Sequence, residues 1–230
     1  MRFSKPGFAV TTTMGSQGRM SVRRSLILVA LALLATGCSD ETGPLLPEVQ
    51  QPLARRVASS TEVHILQQAP TAPPLETYQV SFWAYKGKAS TVTVNYQPAA
   101  GQWGGQPFLR FDIPKHGLAA GTDGARLGRG DSVWVTLTID SVNFSVHFRP
   151  SGVLFSNNSP ANLTIWYENA DPDLNGDGVV NGQDKQVERQ LAFWYHAAQT
   201  RWSELSSHND TTQLFVSTAL YHFSEYAVSW

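Results

Sequence analysis

Val133-Trp134-Val135-Thr136-Leu137-Thr138-Ile139, followed after Asp140-Ser141 by Val142-Asn143-Phe144-Ser145-Val146-His147-Phe148, repeats apolar residues at every second position. That period belongs to an extended chain with one buried face, not to a helix. Upstream, Phe108-Leu109-Arg110-Phe111-Asp112-Ile113 stops at Pro114, Thr91–Tyr96 alternates cleanly, and Tyr78–Tyr85 is rich in aromatics. Downstream come Leu163–Tyr167, Leu191–Tyr195, Leu214–Leu220 and Tyr226–Trp230. Gly, Pro, Asn and Asp clusters separate these runs, as turns require. Nine such segments without a long helical pattern predict an all-β fold, an antiparallel β-sandwich of about nine strands over residues 77–230. The ending on Tyr226, Val228 and Trp230 is also how outer-membrane barrels end, but a barrel needs more segments, each of about ten residues.

The composition permits such a core. Of the 230 residues, 42% are hydrophobic and 15% charged. All 18 Asp and Glu residues lie beyond residue 38, whereas five of the 17 Lys and Arg residues precede it. The remainder therefore carries 12 basic (17 − 5) against 18 acidic side chains, a net of −6. Such a balance argues against nucleic acid as a partner. A single cysteine excludes an intramolecular disulfide framework and a Cys-rich zinc site.

That cysteine ends a targeting segment. Arg23-Arg24 is followed by the apolar run Leu26–Leu34 and then by Ala35-Thr36-Gly37-Cys38. A basic flank, an apolar stretch and a small-residue exit make a signal peptide over residues 1–37. The run is too short to span a hydrocarbon core of roughly 30 Å. Gly37-Cys38 resembles the lipobox of bacterial lipoproteins, although Ala35 stands where Leu is usual. The resemblance implies cleavage before Cys38 and an acylated, palmitate-type Cys38 holding the chain to a membrane. Met20 is a plausible true start. Ser39 after the cysteine points to the outer membrane or cell surface rather than the inner membrane. Residues 38–76 contain six prolines and no sustained periodicity, which predicts a disordered Pro-rich tether. Within it, Val63-His64-Ile65-Leu66 reads as a short strand able to dock on the following domain.

Phe148-Arg149-Pro150-Ser151-Gly152-Val153-Leu154-Phe155, the run Leu163–Tyr167 and the ending His222–Val228 resemble the β-sandwich of zonula-occludens proteins and netrin receptors. They resemble more narrowly its relatives among bacterial surface lipoproteins. The resemblance covers roughly residues 130–230 and implies a binding or structural module.

Asp173-Leu174-Asn175-Gly176-Asp177-Gly178-Val179-Val180-Asn181-Gly182-Gln183-Asp184 carries the most specific chemistry. Calcium takes about six to eight oxygens on a backbone able to curl around it. Asp173, Asn175 and Asp177 stand at loop positions one, three and five, with Gly178 at the turn. The Val179 carbonyl follows, then Asn181, and Asp184 closes the loop in an EF-hand pattern with Asp in place of the terminal Glu. The Asp ending resembles the calcium loop of type I dockerins, which carry two such loops where this chain has one. An EF-hand also has a helix before its loop, where Leu163–Tyr167 reads as a strand. The expected role is a metal-binding Ca²⁺ clasp at residues 173–184 closing an insertion in the sandwich. Gln183–Arg189 reads as a helical turn after it.

His222-Phe223-Ser224 matches the triplet at which some eukaryotic relatives of this sandwich cut themselves. The resemblance implies Ser224 as nucleophile, His222 as assisting group and Phe223–Ser224 as the broken bond. The alternative is a turn entering the last strand. No Gly-x-Ser-x-Gly, His-Glu-x-x-His or phosphate-cradling loop is present, and the six histidines lack metal-ligand spacing. Trp83, Trp134, Trp166 and Trp194 lie in strands, where core packing is the default; an exposed coplanar pair would instead stack sugar rings. Gly101-Gln102-Trp103-Gly104-Gly105 reads as a flexible turn with an anchoring Trp. Together these features predict a noncatalytic calcium-binding lipoprotein of the bacterial cell envelope, a structural or binding module for an envelope protein or glycan. A carbohydrate-binding surface module and a self-cleaving domain are the alternatives.

Overall fold

A computed structural model describes residues 56–59, 63–197 and 201–230. The signal peptide, Cys38 and the first part of the tether lie outside these residues. In chain order the strands are β1 (Val57–Ser59), β2 (Gln79–Tyr85), β3 (Ser90–Asn95), β4 (Pro107–Ile113), β5 (Leu118–Ala120), β6 (Ser132–Asp140) and β7 (Ser145–Arg149). They continue with β8 (Leu154–Phe155) and β9 (Ala161–Trp166), then helix α1 (Gly182–Glu188), β10 (Ala192–Ala197), β11 (Arg201–Glu204), β12 (Ser207–Asp210), β13 (Phe215–Leu220) and β14 (Glu225–Ser229). One sheet runs β1-β11-β10-β14-β7-β6-β2 and a second runs β12-β13-β9-β4-β3, with β5-β8 as a small ribbon. Every pairing is antiparallel. Of the described residues, strand takes 47% and helix 4%, so the fold is an all-β sandwich.

Alternation decides what each sheet buries. Along β6, Val135, Leu137 and Ile139 are buried while Trp134, Thr138 and Asp140 are exposed. Along β13, Val216, Thr218 and Leu220 are buried. The facing layers meet over an aromatic cluster. Phe148 and Phe223 stack at 5.1 Å with planes 6° apart, and Phe111 and Phe155 close around them. Full burial of each ring contributes roughly 1.5–3 kcal/mol.

All nine segments read from the period form strands, and five short ones join them. Turns delay the start of two. Residues 142–144 belong to the β6–β7 turn, because Asp140 Oδ1 gathers the N–H groups of Val142 (3.0 Å) and Asn143 (3.2 Å) before the chain can pair. Phe144 closes that turn at φ +40°. The β12–β13 turn repeats the device. Asp210 Oδ1 accepts from Thr212 and Gln213, both at 2.9 Å, and Leu214 stands at φ +53°.

The tether expected over 38–76 requires a correction. Residues 63–76 are part of the sandwich, since Leu66 and Leu75 are fully buried in its core. Leu66 N donates to Val228 O (2.9 Å), Asp171 N to Gln67 O (2.9 Å), and Gln97 N to Pro74 O (2.8 Å). Pro70 lies in a turn closed by Ala72 N on Ala69 O (3.0 Å), Pro73 and Pro74 restrict the backbone after it, and two leucines give the segment something to bury. The docking expected of Val63–Leu66 takes the form of an Ile65–Ser229 bridge. There Val63 and Ile65 pack on Trp194, Trp202 and Ala227, on the outer side of the first sheet.

The tryptophans also divide differently. Trp194 is buried, but Trp83 and Trp134 are about half exposed, at 51% and 47%. Trp134 shares the parity of Thr136 and Thr138, so it faces outward with them. Trp103 is fully exposed and anchors nothing.

Candidate metal loop and neighbouring sites

The insertion between β9 and β10 begins where Tyr167 N pairs with Leu214 O, and it is pinned by the core contacts of Leu174 and Leu191. Its polar atoms then turn toward its own backbone. Asp173 accepts from the N–H groups of Asp177 (3.1 Å) and Gly178 (2.7 Å). Asp177 Oδ1 accepts from Val179 N (2.8 Å), and its Oδ2 from the Asn175 side-chain amide (3.0 Å). Gly176 and Gly178 stand at φ +71° and +84°, in the left-handed region that a side chain resists, and this curls the chain back on itself.

Asp184 closes the ring. Its Oδ1 accepts from Asn175 N (3.2 Å) and its Oδ2 from Asn181 N (2.7 Å). Asn181 Oδ1 in turn accepts from Gln183 N (2.7 Å), which makes Asn181 and Asp184 a capping box at the start of α1. These two residues therefore have a structural role besides any ligand role. The spacing Asn-x-x-Asp ahead of a helical turn is the sequence signal for it. The Asn181 N–H, with help from Asn175 N, holds the Asp184 carboxyl below its usual range. At the far end of α1, Asn209 Nδ2 donates to Glu188 O (2.6 Å), and Tyr167 donates to Asn209 Oδ1 (3.0 Å). The Glu188 carboxylate is buried and paired with Lys185 at 2.8 Å. A cleft of about 210 Å³ separates this helix and loop from Tyr167 and Leu214.

The six predicted ligands Asp173, Asn175, Asp177, Val179, Asn181 and Asp184 thus belong to one curled loop, with Gln183 as a neighbour the motif did not specify: its Oε1 accepts from Asn175 Nδ2 at 3.2 Å. The donor set is entirely oxygen and suits a hard cation. Among the described residues, however, no three His, Cys, Asp or Glu side chains gather closely enough to hold a metal by themselves. A cation here needs the amide oxygens of Asn175 and Asn181 and the Val179 carbonyl as well. The carboxylates are also not left in bare mutual repulsion, because each accepts two or more N–H bonds, while a carboxylate has about four acceptor positions.

At the other motif, Phe223 is buried in the aromatic cluster. His222 Nδ1 lies 3.3 Å from Phe223 O, whereas Ser224 Oγ donates to His196 O on β10 (3.1 Å). The imidazole and the hydroxyl are turned to different partners. Tyr226 donates to His222 O (2.6 Å), and Phe223 N pairs with Val153 O (3.0 Å). This is the hydrogen-bonding of a turn held between strands.

On the outer face of the first sheet, Trp83 and Trp134 stand opposite each other across β2 and β6. Their centroids are 5.1 Å apart and their planes 61° apart, so they make a corner and not a coplanar platform. Among the described residues no helix is long and apolar enough to cross a membrane. Compared with protein-family models, with curated proteins and with solved structures, the chain matches none.

Proposed function

We propose that this chain is a noncatalytic, calcium-binding lipoprotein of the bacterial envelope. In this reading Cys38 carries the acyl anchor and the sandwich serves as a structural or binding module at the outer membrane or cell surface. The observation that carries it is the loop over 173–184, where oxygen side chains in EF-hand order curl inward and Asp184 bonds back to Asn175 N at 3.2 Å. Asp173, Asn175, Asp177, Asn181 and Asp184, with the Val179 carbonyl, would hold the ion. Bound calcium would offset two of the three carboxylate charges and tie the start of the loop at Asp173 to the start of α1. Calorimetric titration of the full chain with calcium, followed by melting with and without a chelator, tests the reading. Saturable binding and a chelator-sensitive melting temperature are expected, both abolished by Asp177→Ala. An unchanged melt and no heat at millimolar calcium refute it.

A second reading, a carbohydrate-binding surface, lacks the coplanar pair that stacking along a glycan needs; what favours it is narrower, two half-exposed indoles set at 61° on the open face of a sheet. Contiguous exposed aromatics mark interaction sites more often than chance surface.

A further inference from the structure

The corner formed by Trp83 and Trp134 adjoins a shallow, open cleft of about 590 Å³, lined by Thr122, Trp134, Thr136, Arg149, Pro150 and Ser151. Trp134 lines it and Trp83 stands beside Trp134, outside the lining; three kinds of group meet around them. The indoles offer apolar faces inclined at 61°, which suits one ring seated in a corner and not a chain laid along a flat strip. Thr122, Thr136 and Ser151 bring hydroxyls, and Thr136 is tied to Ser81 at 2.8 Å, which fixes its rotamer. Arg149 stands opposite Thr136 in the β6–β7 register. Like most of the described Lys and Arg side chains it makes no ion pair, so its guanidinium is open to a ligand's charge. An unpaired guanidinium beside aromatic faces fits a planar carboxylate, which it can hold with two parallel N–H bonds.

We propose that this cleft binds a single terminal sugar residue bearing a carboxylate, with Trp83 and Trp134 against its ring and Arg149 on its acid group. The proposal deepens the carbohydrate-binding reading and does not depend on calcium. The corner excludes the long neutral glycan that a coplanar pair would favour, and the lone cation selects for charge.

The test is tryptophan fluorescence of the full chain titrated, in chelator, with glucuronic acid, N-acetylneuraminic acid and methyl glucoside, each to about 10 mM. Saturable quenching by at least one acidic sugar, at least about tenfold tighter than methyl glucoside, is expected. Trp83→Ala and Trp134→Phe should each weaken it several-fold, with the melting temperature lowered by no more than about 2–4 °C, while Arg149→Gln should erase the preference for acid. Equal affinity for neutral and acidic sugars overturns the acidic assignment but leaves the glycan reading standing. Absence of any sugar binding overturns both. Acetate or an acidic peptide competing as well as the sugar shows a carboxylate site without a saccharide and also overturns the proposal.

Discussion

Asp184 Oδ2 accepts the Asn181 N–H at 2.7 Å while Asn181 Oδ1 accepts the Gln183 N–H at 2.7 Å, so the residue closing the loop also caps the helix that follows. Capping and any ligation can be separated by substitution. Asn181→Ala removes the cap and should cost about 1 kcal/mol even in chelator, a fall of about 2–4 °C in a chain of this size. Asp177→Ala, outside the cap but bonded to Val179 N and the Asn175 amide, should lower the chelated melting temperature less than Asn181→Ala does and remove the response to calcium. Equal chelated losses in both variants would break the distinction.

Acid should act through His222. Burial pushes its imidazole below the ordinary value of 6.5, opposed in part by the Phe223 carbonyl. A folded pKa below the unfolded one means that the unfolded chain binds more protons between the two values. The contribution of His222 to stability is therefore complete above about pH 6.5 and is lost as pH falls through the lower folded value. Denaturant midpoints measured from pH 7.5 downward should decline in that interval, and His222→Gln should flatten the decline. A separate fall below about pH 4 is expected from Asp210, whose carboxyl is held low by the N–H groups of Gln213 and Thr212.

The two left-handed turn residues should respond differently to glycine. A positive φ costs an L-residue roughly 1–2 kcal/mol, which Gly would relieve. Phe144 is fully buried against Phe108, and losing such a ring costs about 3–5 kcal/mol. Phe144→Gly should therefore destabilise by about 1–4 kcal/mol. Leu214 is only partly buried at the edge of the core, so Leu214→Gly should fall within about 1 kcal/mol of the parent. Urea denaturation of both variants checks the contrast.

Shortening the chain to begin at residue 77 should fail. Leu66 and Leu75 have no exposed surface to speak of, at 0% and 1%. Leu66→Ala alone should cost about 2–5 kcal/mol. A chain starting at residue 77 should unfold at lower denaturant than one starting at 39, with a broadened or absent cooperative transition. Equal midpoints would mean that the N-terminal segment only rests on the domain.

The period of two was enough to locate the nine principal strands because each has one face against the opposite sheet. It was not enough for β11 and β12. Arg201-Trp202-Ser203-Glu204 and Ser207-His208-Asn209-Asp210 carry mostly polar side chains, and they pair through backbone at or near sheet edges. Prolines concealed the role of residues 63–76, since extended chain reads alike whether it is packed or free; only Leu66 and Leu75 betray the difference. At the loop, the order of oxygen residues was readable from the one-letter string. The competing employment of Asn181 and Asp184 in a capping box was also encoded there, in the spacing ahead of α1. The outward parity of Trp134 could be taken from its threonine neighbours, whereas its inclination to Trp83 depends on rotamers that no string specifies.

The bond from Leu66 N to Val228 O has a mechanical consequence. Strand β14 lies inside its sheet, between β10 and β7. Tension applied upstream of Val57 meets the border strand β1 and its three-residue pairing with β11 first; once that short pairing yields, the load passes to an interior strand with neighbours on both flanks.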